Sequence, residues 1–275
     1  MEIITMTDFS KTGNSKKQRL TVIKIGGSIL TYKKEQKPKF NTTAAFKIAK
    51  TISYLNENLI LVHGAGSFGH TFVQKHNLLN EKSFPDNKIL WSELQSLQYE
   101  LNTNLCKILR KHKLAPFPFQ ASAFFNPSSE FSLNKDTETI MKNLINKGLT
   151  PVLYGTPALF DKTPYILSGD TLVLTSAVSF KADRIVFLTD TDGIFDKDPQ
   201  KPNAELIRKI KISQLSSFKI DFGKSQDTTG AMKGKFEIAL KAADFNIPTY
   251  IINGNHPERI FDVFEKDFIG TLIEN

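Results

Sequence analysis

A loop of small residues that ends in a histidine is the part of this chain best suited to chemistry. Residues 61–70 read LVHGAGSFGH, so a short apolar run at 59–62 passes directly into glycine, alanine and serine. Residues without bulk let a ligand approach the backbone N–H groups, and such a loop before a helix favours an anion, most often phosphate. Glycines after a strand are also common as plain turn residues, so this loop alone does not establish a phosphate site.

A lysine inside an apolar strand is the second unusual feature. Lys24 lies in the predicted strand Leu20–Ile25, which leads straight into Gly26 and Gly27. An ammonium group is costly to bury unless a counter-charge lies beside it. Lys24 is therefore either a residue of an edge strand that faces water, or a group that the strand and the glycine turn aim at a ligand phosphate.

Two motifs in the second half of the chain carry further charge. Ser168, Gly169 and Asp170 open a predicted helix, where an aspartate ordinarily caps the helix. If that helix start faces the glycine turns, the Asp170 carboxylate can instead orient buried lysines. In the stretch 228–235, TTGAMKGK, Lys235 falls one turn inside another predicted helix, within reach of a phosphate held at the helix N-terminus.

The stretch 189–199, TDTDGIFDKDP, carries several carboxylates, as a calcium-binding loop would. An EF-hand calcium loop needs a glycine and a terminal glutamate at fixed positions. Neither lies where that loop requires it. The stretch is predicted to be a turn region that follows a strand.

Strands and helices alternate along the chain in the way that a parallel sheet requires. Strand 20–25, helix 42–54 and strand 59–62 form a βαβ unit, which predicts parallel pairing with a right-handed crossover. Parallel strands end at the same sheet edge, so both glycine loops can face one ligand. Further strands are predicted at 114–119, 151–154, 184–188, 249–252 and 268–273, and a hairpin at 158–160 and 165–167. Further helices are predicted at 89–112, 137–146 and 168–180. Another helix is predicted to end at about 245, and a last one to begin at about 256. The prediction is a three-layer α/β/α sandwich with a mainly parallel central sheet, preceded by a flexible polar extension at 1–19.

Composition excludes several classes of protein. The chain has 275 residues and a formal net charge of +8, which suits anionic partners in general. Scattered lysines and the lack of a zinc-knuckle or aromatic RNA-binding motif argue against nucleic acid as the partner. No apolar run reaches the roughly 20 residues that span a bilayer, so no membrane partner is expected.

The N-terminal residues and the cysteine count bear on the compartment. Residues 1–19 lack the apolar core and cleavage site of a secretory signal, so a cytoplasmic protein is expected. Cys106 is the single cysteine, which excludes a disulfide within one chain, and its helix-like apolar neighbours predict a core position.

Between Phe72 and Phe131 lies a concentration of phenylalanines that form either core or an apolar ligand cavity: Phe84, Phe117, Phe119, Phe124 and Phe125.

Five motifs, taken in chain order, resemble those of the amino acid kinase superfamily and, within it, the isopentenyl phosphate kinase family, with the fosfomycin kinases nearby. They are KIGGS at 24–28, HGAGSFGH at 63–70, ILSGD at 166–170, LTDTDG at 188–193 and TGAMKGK at 229–235. The first and last are widespread in the superfamily, whereas GSFGH with its terminal histidine is typical of the isopentenyl phosphate branch and its fosfomycin relatives. The resemblance extends from Leu20 to Asn275.

The resemblance implies a phosphotransferase with a phosphate group as acceptor. The expected reaction turns isopentenyl phosphate and ATP into isopentenyl diphosphate and ADP, a step of isoprenoid biosynthesis. It also implies a single domain over 20–275, in which about 20–167 binds the acceptor and about 168–275 binds ATP. A homodimer is expected, with Mg²⁺ carried by the ATP phosphates and water, and with no protein side chain assigned to the metal.

The same resemblance assigns roles to individual residues. Lys24 and Lys235 would stabilise charge on the transferred phosphoryl group, and Asp170 would hold both ammonium groups. His70 would donate a hydrogen bond to the acceptor phosphate. The complete catalytic set is Lys24, Lys33, His70, Asp170 and Lys235; the ATP set is Lys24, Gly26, Gly27, Ser28, Gly66, Thr189, Asp190, Ala231 and Lys235; the acceptor set is Gly64, Ala65, Ser67, His70 and Gly155.

Three positions depart from the family pattern and leave the acceptor open. Ala65 replaces the middle glycine of the usual triple, Thr156 stands where an acidic residue is common, and Ala231 stands where a second glycine is usual. A fosfomycin or other small phosphonate kinase is the main alternative, because that acceptor also presents an anionic phosphorus group to the loop. A non-catalytic nucleotide-binding regulator is the second alternative, and the presence of Lys24, Asp170 and Lys235 together argues against it.

Overall fold

The computed structural model describes residues 18–32, 35, 37–78, 87–125, 133–160, 163–218, 220–222, 231–265 and 267–275. Its strands are β1 (Leu20–Ile25), β2 (Asn58–His63), β3 (Pro116–Phe119), β4 (Thr150–Tyr154), β5 (Thr156–Phe160), β6 (Thr163–Leu167), β7 (Arg184–Thr189), β8 (Lys209–Lys211), β9 (Thr249–Asn253) and β10 (Thr271–Glu274). Its α-helices are α1 (Gly27–Leu30), α2 (Thr42–Ile52), α3 (His70–Lys75), α4 (Lys88–Lys111), α5 (Lys135–Asn146), α6 (Gly169–Phe180) and α7 (Ala231–Asp244).

Eight of the described strands form one sheet, in the order β3-β4-β2-β1-β7-β9-β10-β8. Neighbouring strands from β3 to β9 are parallel, β10 is antiparallel to β9, and β8 is parallel to β10. The β5–β6 hairpin lies outside this sheet. Because parallel strands end at one edge, the loops after β1, β2, β4 and β7 lie side by side there. The sheet therefore collects the chemistry-bearing residues along that edge.

Apolar side chains cover both faces of the sheet. On β1, Val22 belongs to an apolar cluster that includes residues of α5, α6 and α7, whereas Ile23 belongs to a second cluster with residues of α2 and α4. Successive residues of a strand point to opposite faces, so a strand buried on both sides reads as an uninterrupted apolar run. The predicted three-layer α/β/α sandwich is confirmed.

Several predicted element ends differ from those observed. Helix α2 begins at Thr42, as predicted, but ends at Ile52 rather than at 54. Asn41 caps it, because its side chain accepts a hydrogen bond from the N–H of Ala44 at 3.1 Å. The helix expected from about His256 is only a 3₁₀ turn, Pro257–Ile260. The short strand β8 was not predicted, because three residues carry too little pattern to be recognised.

The aromatic and sulfur side chains take packing positions. Cys106 is buried, as predicted. Phe119, Phe124 and Phe125 are half-buried against the core, and Phe117 is exposed. Phe84 and Phe131 lie outside the described residues. None of the helices in the described part of the chain is long and apolar enough to cross a membrane.

Candidate active site

The two glycine loops, residues 26–27 after β1 and residues 64–70 after β2, meet backbone to backbone. The N–H of Gly64 donates to the carbonyl oxygen of Ile25 at 2.9 Å. A Cβ on Gly27 would lie 2.2 Å from the nitrogen of Gly66, closer than any side chain permits, and Gly66 itself has φ +50°. Only glycine fits this approach. We call the two segments the first and the second glycine loop.

Thr31 ties the two loops together from beneath. Its hydroxyl donates to the carbonyl oxygen of Gly27 at 2.8 Å and accepts from the N–H of Ser67 at 2.9 Å. The N–H of Ser67 is therefore occupied by the protein itself, while the Ser67 hydroxyl is buried without a hydrogen-bond partner in the described part of the chain. Sequence reasoning missed Thr31, because a threonine a few residues beyond a glycine turn carries no distinctive signal.

Lys24 lies at the centre of the site. Strand β1 runs between β2 and β7, so the interpretation of Lys24 as an edge-strand residue is wrong. The side chain is 7% exposed, and its Nζ lies 2.6 Å from Oδ1 of Asp170. The counter-charge that a buried ammonium requires is therefore present.

Asp170 does not cap helix α6. Ser168 caps it instead, since its hydroxyl accepts from the N–H of Thr171 at 3.1 Å. Burial alone would raise the pKa of the Asp170 carboxyl, but the ammonium groups of Lys24 and Lys235, aided by His70, outweigh it and hold the pKa below its ordinary value. Asp170 is thus a charged carboxylate that faces cationic groups.

The structure brings four of the five predicted catalytic residues together. Lys235, on the first turns of α7, is buried, and its charge acts on Asp170. His70 is the first residue of α3, is exposed, and also acts on Asp170. Lys33 lies outside the described residues. Such a cluster of cations around one carboxylate can neutralise a phosphoryl group in transfer.

The remaining predicted acceptor residues border the same edge. Gly64 and Ala65 begin the second glycine loop, directly after β2. A Cβ on Gly155 would lie 3.3 Å from the nitrogen of Gly169, so the β4–β5 junction packs closely on the start of α6. Gly155 therefore lies next to Gly169, the residue that precedes Asp170.

On the far side of the first glycine loop, β7 ends at a well-anchored turn. The carbonyl oxygen of Thr189 accepts from the N–H of Gly254 at 2.7 Å, and the Thr189 hydroxyl donates to the carbonyl oxygen of Thr191 at 2.8 Å. Asp190 follows directly, Ala231 begins α7, and Ser28 lies in α1. These predicted ATP residues therefore follow strands or open helices along the sheet edge.

Asp192 anchors that turn to the segment after β9. Its carboxylate accepts from Nδ2 of Asn253 at 3.0 Å and from the guanidinium of Arg259. Burial opposes ionisation, but these hydrogen bonds outweigh it and lower the pKa of Asp192. Sequence reasoning missed Asn253 and Arg259, whose partner is more than 60 residues away in the chain.

His63, the last residue of β2, is completely buried. Burial lowers its pKa to about 4, so the imidazole is neutral. Its ring stacks on that of Tyr154 with a centroid separation of 5.2 Å. Burial also raises the pKa of the Tyr154 hydroxyl above its ordinary value, so both rings are uncharged.

Within the described ranges, no group of three or more His, Cys, Asp or Glu side chains is arranged to hold a metal ion. The donors at the site are mainly ammonium groups and backbone N–H groups, which suit phosphate oxygens. This donor set fits a Mg²⁺ ion that arrives on a nucleotide better than one bound by the protein alone.

Comparison with known proteins agrees with this geometry. The model of the amino acid kinase family matches residues 19–253. Isopentenyl phosphate kinase of Thermoplasma acidophilum is 34% identical over 258 residues, which cover 92% of this chain and 100% of that protein. The Methanothermobacter thermautotrophicus isopentenyl phosphate kinase is 28% identical, over 92% of this chain and 97% of that one.

Solved structures give the same result. Product and substrate complexes of isopentenyl phosphate kinase, the former from T. acidophilum, each superpose with a TM-score of 0.78 at 31% identity. Each comparison covers 93% of this chain and 100% of the other. The five motifs therefore predicted the family correctly, and the chain belongs to the amino acid kinase family.

Proposed function

We propose that this protein is an ATP-dependent kinase that phosphorylates isopentenyl phosphate to isopentenyl diphosphate. The observation that carries the proposal is the meeting of the second glycine loop, which ends in His70, with the buried Lys24–Asp170 pair. The backbone N–H groups of that loop could bind one phosphate, and the cations beside Asp170 could stabilise a second phosphoryl group. The similarity to isopentenyl phosphate kinases over nearly the whole chain supports the choice of acceptor.

The acceptor is proposed to lie against the second glycine loop, in the lobe of residues 20–167. Gly64, Ala65, Ser67 and Gly155 would surround its phosphate, and His70 would donate a hydrogen bond to it. His70 is exposed and adjacent to the cationic cluster, so it can contact a ligand that enters from solvent.

ATP is proposed to lie over residues 168–275, with its phosphates reaching the first glycine loop. Gly26, Gly27 and Ser28 would contact these phosphates, and so would Gly66, which lies against Gly27 from the second loop. Thr189, Asp190, Ala231 and Lys235 would hold the rest of the nucleotide. Mg²⁺, which neutralises charge on the ATP phosphates when bound, would be held by phosphate oxygens and water.

The chemical step is an in-line transfer. An oxygen of the acceptor phosphate forms a bond to the γ-phosphorus of ATP, the bond from that phosphorus to the β,γ-bridging oxygen breaks, and ADP leaves. The attacking oxygen is already anionic, so no strong base is required, and catalysis consists of positioning and charge neutralisation. Lys24, Lys235 and Lys33 would supply the positive charge, and Asp170 would hold the ammonium groups of Lys24 and Lys235.

A coupled ADP-release assay with isopentenyl phosphate, dimethylallyl phosphate and fosfomycin offered side by side tests the proposal. We expect the highest kcat/KM with isopentenyl phosphate. Turnover of fosfomycin alone would assign the site to a phosphonate acceptor. Tight ATP binding without turnover of any acceptor would instead indicate a nucleotide-binding regulator.

The cellular and quaternary setting is part of the same proposal. A cytoplasmic location and a homodimer are predicted, and fractionation and sedimentation measurements would check them. The single cysteine, Cys106, is buried, which is compatible with a reducing compartment.

A further inference from the structure

One face of α4 carries two buried amide side chains that reach the second glycine loop from behind. Gln98 is 1% exposed and Asn102 is 3% exposed, and they lie one helical turn apart on the same face. Burial of an amide is unfavourable unless it is hydrogen-bonded. Gln98 bonds directly to a backbone carbonyl at one end of the loop, and Asn102 reaches a carbonyl at the other end through His63.

Asn102 acts on the start of the loop through His63. Nδ1 of His63 lies 3.1 Å from the carbonyl oxygen of Gly64, and Nε2 lies 3.0 Å from Nδ2 of Asn102. A carbonyl oxygen only accepts, so Nδ1 must carry the proton, and Nε2 then accepts from the amide of Asn102. The two neighbours therefore select one neutral tautomer of His63.

This chain of hydrogen bonds fixes the peptide group between Gly64 and Ala65. In a planar trans peptide the carbonyl and the following N–H point in opposite directions. Because His63 holds the Gly64 carbonyl toward its own buried ring, the N–H of Ala65 is turned away from that ring. No described residue accepts a hydrogen bond from that N–H.

Gln98 acts on the other end of the loop. Its Nε2 donates to the carbonyl oxygen of Phe68 at 2.9 Å, two residues before His70. A Cβ on Gly69 would lie 3.0 Å from the same Nε2, so the glycine leaves room for the amide. Gln98 thereby fixes the backbone from which His70 projects.

We propose that Gln98 and Asn102 are positioning residues for acceptor recognition: from one helix they fix the Ala65 N–H and the backbone at His70, the two groups aimed at the acceptor phosphate. The inference rests on the proposed function, since it assumes a phosphate acceptor at this loop. ATP is proposed to lie on the other side of the first glycine loop, where it would make no use of these two amides. Loss of either amide is expected to weaken acceptor binding and to leave nucleotide binding unchanged.

The test uses Asn102→Leu and Gln98→Met, which retain most of the side-chain volume but remove the donor. The control is Asn104→Leu, the same change on the same helix at a half-buried amide that makes no hydrogen bond to a described residue. We expect each test variant to raise the KM for the acceptor about ten-fold, as for a lost buried hydrogen bond, with the KM for ATP unchanged. The control is expected to keep both values.

A second measurement does not depend on the variants or on the acceptor. Nitrogen NMR of the imidazole should show His63 of the wild-type protein neutral and protonated on Nδ1. Protonation on Nε2 would overturn the inference even if Asn102→Leu failed to fold. Equal rises in both KM values, or a similar rise in Asn104→Leu, would also overturn it. The acceptor panel tests the proposed function separately, so the two failures can be told apart.

Discussion

Replacement of Asp170 by asparagine removes the negative charge beside the buried Lys24 ammonium with almost no change in shape. In the wild-type protein Nζ of Lys24 lies 2.6 Å from Oδ1 of Asp170, and Lys235 also acts on this carboxylate. An asparagine amide can turn its oxygen toward Lys24 but cannot balance two positive charges. We expect both ammonium groups to leave the positions in which they stabilise the transferred phosphoryl group.

The expected size of the effect follows from the burial of the pair. Loss of one preorganised electrostatic contact in a transfer site lowers kcat by about 10²-fold. Stability should fall by about 2 kcal/mol, below the usual cost of breaking a buried ion pair, because the Asp170 side chain is still 25% exposed. The KM for the acceptor should change much less than kcat.

The same variant should alter the response to acid. The pKa of Asp170 in the folded protein is below its ordinary value of 3.8, so the carboxylate stabilises the fold above about pH 4 and loses this contribution as the pH falls through the lowered pKa. Asp170→Asn lacks the charge at every pH. The difference in melting temperature between wild type and variant should therefore shrink as the pH is lowered below 4.

Steady-state ADP release and thermal unfolding measure these effects. Asp136→Asn is the matched control, because Asp136 is also in the first turn of a helix, α5, but is exposed and makes no ion pair with a described residue. The control should retain kcat. Loss of such a contact is expected to leave about one hundredth of the wild-type kcat. If Asp170→Asn kept more than about half of the wild-type kcat, the assignment of Asp170 to the transfer site would be refuted.

Three further outcomes are expected. His70→Ala should raise the acceptor KM at least ten-fold, by about 1.4 kcal/mol of lost binding, with ATP affinity kept, in the coupled assay; lost ATP affinity with normal acceptor use would place the loop on the other substrate. Arg259→Met should show the reverse split, with a raised KM for ATP, because it removes the guanidinium that holds Asp192 and the turn after Thr189. Glu57→Gln should lower the free energy of unfolding by about 3 kcal/mol in urea titrations while both KM values stay unchanged, since it removes the carboxylate that pairs with the buried Arg184 at the opposite edge of the sheet.

Several strands and helices, the position of the site and the family were predicted from the sequence. The apolar runs that end in glycine predicted β1, β2 and the edge on which the site lies, because parallel strands end together. The helix predicted at 89–112 matches α4 to within one residue at each end. Five motifs in order predicted the family, which the comparisons confirmed.

Other features could not be predicted, because they depend on partners that are distant in the chain. The sequence left Lys24 as either a water-facing or a buried residue, and only the position of β1 between β2 and β7 decided the question. From the sequence, Asp170 could equally well have been a helix cap. In the folded protein Ser168 is the cap, and the Asp170 carboxylate pairs with Lys24.

The polar contacts behind the site belong wholly to the tertiary structure. Thr31, Gln98, Asn102 and Arg259 lie in elements whose periodicity reports only which face is buried, not what each polar group meets there. Their bonds to Ser67, Phe68, His63 and Asp192, respectively, join residues 30 or more positions apart. Strand and helix patterns are set by neighbours along the chain, whereas the choice of a hydrogen-bond partner is set by packing. The sequence alone therefore determined where phosphate chemistry is expected, and the tertiary structure decided which groups hold the residues in place.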